Sequence, residues 1–191
     1  MTDRGERALR LSPEKFEVGP SSITWTGKEL QIDIDEVSSL PLISRMRGRI
    51  TVTPTGLTDV EAPLTPDGAH VWRPFAPTAR IDVDINRKGW QWSGHGYFDA
   101  NFGTRALEAD FSYWTWGRYP VAGGSVTHYD AARRDGTHLD LSLRFGDSGE
   151  VAVTNPPPRT RFNRTAWAVA RETRADPGYR PRQVRPMLDA P

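Results

Sequence analysis

The sequence predicts an all-β protein, an antiparallel sandwich or barrel, and three observations carry that prediction. Apolar residues recur at alternate positions in stretch after stretch, the period of a half-buried strand. Turn residues separate those stretches at intervals of about eight to twelve residues. No stretch keeps a 3.6-residue apolar face through three turns.

Taken in order, Ile23, Trp25, Leu30, Ile32 and Ile34 alternate on either side of Thr26, Gly27 and Lys28, which reads as a hairpin. Alternation resumes from Arg49 to Thr53, ahead of Pro54 and Gly56. Ala79, Ile81, Val83 and Ile85 form a period-two strand with Asp82 and Asp84 on its other face. Asn86 to Gly89 reads as a turn, Trp90 to Phe98 as the next strand, and Leu107 to Trp116 as the one after. Gly124 to Arg133 and His138 to Phe145 flank Arg134, Asp135 and Gly136, an Asp-Gly hairpin signal. Glu150 to Val153 and Ala166 to Val169 are shorter strand candidates. A barrel of about eight such strands is wide enough to hold one elongated ligand.

Residues 1–155 are therefore expected to form the β domain, and residues 156–191 stand apart. Pro156, Pro157 and Pro158 open that segment, and eight arginines face three acidic residues within it, a net +5. At most one short strand is expected there. The segment reads either as a solvated, partly extended tail or as a stretch drawn to an anionic lipid surface.

Composition closes several classes of function. The 25 basic and 24 acidic residues leave a net charge of +1, so there is no whole-chain electrostatic case for nucleic acid. The chain has no cysteine, which excludes disulfides, thiolate chemistry and cysteine-ligated zinc. Residues 1–15 show no apolar signal-peptide core, and no run of about eighteen apolar residues occurs. No Gly-x-Ser-x-Gly, phosphate loop or dinucleotide fingerprint is present.

Chemistry concentrates in Gly94 to Gly103, where Asp99 and His95 sit among Tyr97, Phe98, Phe102 and three glycines. Glycines leave holes in a core strand, but they suit a place where a ligand approaches the backbone. Two readings of Asp99 follow. In one, the strand ends there, Asp99 and Asn101 bond nearby backbone N–H groups, and Gly103 supplies a positive φ. In the other, Asp99 is a proton donor at the mouth or floor of a barrel. A calcium loop fits poorly, because glycine arrives one position early and the twelfth position is Asp110. His70 and His95 lack the spacing of a metal pair and read as interior, hydrogen-bonded residues; His128 and His138 read as surface residues of the hairpin. Trp90 and Trp92, like Trp114 and Trp116, share a face by pairs. They pack an aromatic core or line a long polyene, where ring faces also attract a developing cation.

The run from Trp92 through Asp99, Asn101 and Gly103, then Leu107, Glu108, Phe111, Trp114 and Trp116, resembles the carotenoid 1,2-hydratase (hydroxyneurosporene synthase) family. So do Ile32 to Val37 with Arg47 to Arg49, His70 with Trp72 to Pro74, and Arg171 with Thr173 to Asp176. The resemblance covers nearly the whole chain in order. It implies a lipocalin-like (calycin-type) β fold and a cofactor-independent hydro-lyase working in the direction of hydration, with no metal. Its substrate would be the terminal C-1,2 double bond of acyclic carotenoids such as neurosporene and lycopene. It assigns Asp99 as the acid, with Tyr97, Trp72 and His70 assisting, and leaves His95, Trp92, Phe98, Trp114 and Trp116 as substrate-binding candidates. Relatives extend beyond both ends, so the sheet is expected to be incomplete at one or both.

The chemistry agrees with those residue types. A trisubstituted alkene is a very weak base, so a proton has to reach C-2 before water can bond the tertiary cation at C-1. The acid is therefore a carboxyl group kept neutral, which burial among aromatics favours. Trp72 and Tyr97 offer π faces to the cation, and His70 is suited to orient the acid or the water. Asp99 and Tyr97 share a strand face, as do His70 and Trp72. The expected partners are an acyclic carotenoid and water, with no nucleic acid. The expected place is the bacterial cytoplasm, peripheral to the photosynthetic membrane. The rival readings are a non-catalytic lipocalin-like binder of carotenoid or another polyprenoid, and a different cationic or pericyclic reaction on the same scaffold.

Overall fold

The computed structural model describes residues 4–38, 41, 43–164 and 170–182. The expected strand from Ala166 to Val169 lies outside the described residues. The chain forms two compact units that are discontinuous in sequence. The first comprises Met1–Val60, Arg73–Ala100 and Asp147–Gly149; the second comprises Glu61–Trp72, Asn101–Gly146 and Glu150–Pro191. Two long strands, β7 (His70–Ile85) and β8 (Gln91–Gly103), pass from one unit into the other.

The first unit is an antiparallel sheet in which each strand pairs with its sequence neighbour. Strands β1 (Leu9–Leu11), β2 (Lys15–Val18), β3 (Ser21–Trp25), β4 (Leu30–Val37) and β5 (Arg45–Gly56) follow in order. The later part of β7 then pairs β5, and β8 pairs β7. The Thr26-Gly27-Lys28 hairpin forms as expected, with Gly27 at φ 89°. Val52, Ala79, Val83 and Ile85 supply the buried face. Across the exposed side of β4 and β5, Arg49 grips Asp33 at 2.7 Å, and Arg45 and Arg47 grip Asp35 at 2.7 and 3.1 Å. Such cross-strand pairs fix register. The Arg45 bond, with Arg47, holds the Asp35 carboxyl down to about 2.

The second unit holds a short β6 (Ala62–Pro63), paired with the first residues of β7, and a four-stranded antiparallel sheet. That sheet runs β12 (Val151–Val153), β11 (His138–Gly146), β10 (Gly124–Arg133), β9 (Phe111–Val121). One face carries Tyr129, Ala131, Leu143 and Phe145, all buried. On the opposite face lies His128. It is buried rather than at the surface, with Nδ1 3.0 Å from the Ser142 hydroxyl and the Tyr119 ring 5.4 Å away. His138 is exposed, as expected.

The antiparallel all-β expectation holds; among the described residues the sheets are open and none closes into a barrel. Three local expectations are corrected. Leu107–Asp110 is a helical turn, α1, and the strand starts at Phe111. Strand β8 continues to Gly103, so Asp99 lies inside it, and Gly103 is not among the glycines at positive φ. The C-terminal segment contains two short strands, β13 (Arg159–Arg161) and β14 (Glu172–Arg174), paired antiparallel, where at most one was expected. Two of its arginines are anchored: Arg174 bonds Asp130 at 3.0 Å and Asp140 at 2.9 Å, and Arg159 bonds Asp140. A composition that reads as a solvated tail is, over these residues, a ribbon held by ion pairs to carboxylates far back in the sequence.

Candidate active site

Within the first unit, alternation along β8 puts Tyr97 and Asp99 on one face, both half-buried. The Tyr97 hydroxyl donates to Asp99 Oδ2 at 2.7 Å. Asp99 accepts this bond from within the strand and not from a turn at its end. Phe98 points to the other face and stacks on Phe75, centroids 5.8 Å apart. With Trp25, Leu30, Val52, Pro54 and Leu57 these two rings line a cavity of about 260 Å³ that has no charged side chain in its wall. The carboxyl group and this apolar cavity therefore lie on opposite faces of β8. Trp92 is 52% exposed, Trp90 44% and Phe98 40%. His95 is exposed as well, not interior.

Within the second unit, the first residues of β7 place His70 and Trp72 on one face, 2% and 0% exposed. Trp72 packs against Tyr129 at 5.6 Å and edge-on to Phe145 at 6.4 Å. The His70 ring meets Phe111 edge-on at 5.2 Å. Its Nε2 lies 2.8 Å from Asp110 Oδ2. Arg105 grips both oxygens of the same carboxyl, at 2.6 and 2.8 Å, and reaches Asp67 at 2.8 Å. The Arg105 bond is the main cause that holds Asp110 below the usual carboxylate range, with His70 adding to it. Asp67 is pushed far down by bonds from the Thr65 hydroxyl, the Ala69 N–H and Arg105.

Gly103 closes on this histidine. A Cβ there would stand 2.8 Å from His70 Nδ1, inside van der Waals contact, so only glycine lets the strand pass. Trp114 and Trp116 stand opposite Ala131 and Tyr129 and share their face. They are 47% and 40% exposed, so they do not pack a closed aromatic core and instead offer ring surface for contact.

The structure thus joins Tyr97 to Asp99 in one unit and sets His70 beside Trp72 in the other. It leaves His95, Trp92, Phe98, Trp114 and Trp116 as exposed or partly exposed side chains. Sequence reasoning missed Asp110, Arg105 and Asp67, whose only sign was Asp110 as a poor twelfth ligand in a calcium loop. Here Asp110 is committed to Arg105 and His70. Among the described residues no three His, Asp or Glu side chains are grouped to hold a metal ion.

A family model described as Carotenoid hydratase CrtC matches residues 1–191. An acyclic carotenoid 1,2-hydratase of Cereibacter sphaeroides is 60% identical over 191 residues, all of this chain and 68% of that protein. The protein of the same description from Rhodobacter capsulatus is 53% identical, again over all of this chain and 68% of its own length. One from Thiocapsa roseopersicina is 43% identical over 192 aligned residues, 47% of its length. No solved structure matches.

Proposed function

This chain belongs to the carotenoid hydratase family, and from that premise we propose that it adds water to the terminal C-1,2 double bond of an acyclic carotenoid. The observation that carries the reading is 60% identity to a protein described as an acyclic carotenoid 1,2-hydratase, over the whole chain. The Tyr97–Asp99 hydrogen bond supports it, because the assigned acid and its tyrosine are already partners.

Asp99 acts as the acid. Its carboxyl proton is the one that moves to C-2. The π electrons of the double bond form the new C–H bond, and the positive charge falls on C-1, a tertiary centre. The ring face of Tyr97, the partner of Asp99 in the same unit, stabilises that cation, and Trp72 is assigned an assisting role. Water bonds C-1 through oxygen, then releases one proton, so the sum is one water added and the acid restored. His70 orients the attacking water. No redox change occurs, and the proposal uses no cofactor. The exposed rings of Trp92, Phe98, Trp114 and Trp116, with His95, are assigned to substrate contact. A peripheral place on the bacterial photosynthetic membrane belongs to the same proposal. The net +5 charge of residues 156–191 supports it through attraction to anionic lipid. No described helix is long and apolar enough to cross a membrane.

The test is expression of the chain in a host that accumulates lycopene or neurosporene, followed by chromatography of the pigments. Products heavier by one or two waters are expected. Asp99→Asn is expected to lose at least about 10²-fold in rate, the scale of a missing general acid, and hydration at the wild-type rate by this variant refutes the acid role. Pigment recovered bound to the protein but unaltered replaces the hydratase with the carotenoid-binding reading.

A further inference from the structure

We propose that Asp110 is a positioning residue for the hydration, holding His70 as the Nε2–H tautomer so that Nδ1 is the atom that takes the proton from water. This rests on the reading that His70 serves that reaction. The geometry lies wholly within the second unit. His70 is 2% exposed, so its orientation is set by protein neighbours and not by solvent. Its Nε2 stands 2.8 Å from Asp110 Oδ2. Arg105 meets the same carboxyl in a two-point grip, at 2.6 and 2.8 Å. A carboxyl gripped by a guanidinium is ionised at neutral pH and can only accept. The shared proton therefore sits on Nε2, and a neutral His70 carries its lone pair on Nδ1.

The support reaches further back. Arg105 is held by Asp67 at 2.8 Å, and Asp67 accepts from the Ala69 N–H at 3.1 Å. The network thus closes on the residue next to His70. Phe111, edge-on at 5.2 Å, fixes the ring plane. On the Nδ1 side, Gly103 removes the side chain that would otherwise press on the ring, since a Cβ there would stand 2.8 Å from Nδ1. Its backbone is not at positive φ, so the glycine is required here by the close approach and not by backbone conformation.

The chemistry gives this arrangement a use. When water bonds C-1, its oxygen becomes positively charged and one O–H bond has to break. A neutral imidazole accepts that proton at Nδ1, and the resulting imidazolium is stabilised by Asp110 at Nε2. His70 then returns the proton to solvent, from which Asp99 is reprotonated, so the net change remains one water added. Among the described residues, Asp110, Arg105 and Asp67 form the charged network bonded to this ring, and Arg133, Arg134 and Asp135 line the same pocket as Asp110.

The experiment uses the full chain with ¹⁵N-labelled histidine. His70 is assigned by the signal lost in His70→Gln, and long-range ¹H–¹⁵N spectra then report which ring nitrogen carries the proton. The wild type is expected to show Nε2–H. Asp110→Asn is expected to lose that preference and to lower kcat roughly 10–100-fold with KM nearly unchanged, as for carboxylates that orient a functional histidine. Asp110→Glu is expected to recover part of the rate. Wild-type His70 protonated on Nδ1, or Asp110→Asn with wild-type kcat, overturns the proposal. Should Asp110→Asn fail to fold, the wild-type spectrum and Gly103→Ala decide. The added methyl is expected to displace the ring and lower kcat, and an unaltered spectrum and rate overturn the proposal. A wild-type chain that hydrates no carotenoid sinks the function proposed above, while the tautomer spectra still judge the role of Asp110.

Discussion

Trp72 is assigned to the reaction, yet it is also a central side chain in the packing of the second unit, and the two roles predict different behaviour on substitution. The side chain is fully buried, against Tyr129 at 5.6 Å and Phe145 at 6.4 Å. Truncation of such a tryptophan to alanine costs about 3–5 kcal/mol through lost transfer energy and the cavity left behind. The two ring contacts account for roughly 0.5–1.5 kcal/mol each beyond area burial. A domain is stable by only about 5–15 kcal/mol, so Trp72→Ala removes a large share of the total. At roughly 2–4 °C per kcal/mol for a chain of this size, its melting temperature is expected to fall by about 6–20 °C. Trp72→Phe keeps most of the ring packing and is expected to fall by less than half as much. Calorimetry with near-ultraviolet circular dichroism gives both shifts. A melting temperature for Trp72→Ala within about 2 °C of wild type, a change worth less than roughly 1 kcal/mol, refutes the packing described here. The pair also separates the two roles. Loss of hydration in Trp72→Phe, with the fold retained, speaks for the indole at the cation; loss in Trp72→Ala alone speaks only for stability.

Three further outcomes follow from the ion pairs and titrating groups. His128 is held below the ordinary imidazole range, first by burial and then by the positive charge of Arg174, with Asp130 and Asp176 opposing. The folded state therefore disfavours the imidazolium, so stability is full above the unfolded value of 6.5 and declines as pH falls below it. Thermal melts from pH 7.5 to 5 check this, and a His128→Gln variant with the same slope refutes it. Arg174 and Asp130 are a nearly buried pair, with side chains 8% and 9% exposed. Arg174→Ala leaves Asp130 with the more distant Arg159, 3.6 Å away, and is expected to cost about 2–4 kcal/mol, somewhat less than a fully stranded buried charge, read by urea unfolding; a loss below roughly 1 kcal/mol would mean that the ribbon of β13 and β14 is not anchored as described. Asp35→Asn, by contrast, removes an acceptor shared by two exposed arginines and is expected to leave the melting temperature close to wild type, as surface pairs contribute little. A large drop would show that this ladder carries more than register.

What the sequence made legible is what local chemistry decides. Asp135 and Gly136 turn the chain between β10 and β11 where the dipeptide says they should, with Gly136 at φ 86°. Ala79 to Ile85 alternates on the page and in the sheet. The Tyr97–Asp99 contact was legible for the same reason, since two residues apart on a strand is a statement about one face. Even there the strand end was misplaced: Asp, Asn and Gly carry turn propensity, and pairing with β7 overrode it through Gly103.

The rest depends on partners that no local pattern announces. The Asp110 carboxyl reaches His70 across 40 residues of sequence, and Arg174 reaches Asp130 across 44. A charged residue at a surface-seeking spacing looks the same before and after it finds such a partner. Composition therefore made the arginines of the C-terminal segment read as solvated, and made Asp110 a failed calcium ligand. His128 shows the converse: closeness to a hairpin in sequence is not closeness to solvent, since mid-strand in β10 it is buried beside Ser142, two residues before the Asp130 that Arg174 holds. For the candidate site the consequence is specific. The residues that would do the chemistry are recognisable by type and spacing, whereas those that would set the proton on the right atom are recognisable only from their distances to His70. Substitutions at Asp110, Arg105 and Gly103 therefore discriminate between a site that merely contains a histidine and one that aims it.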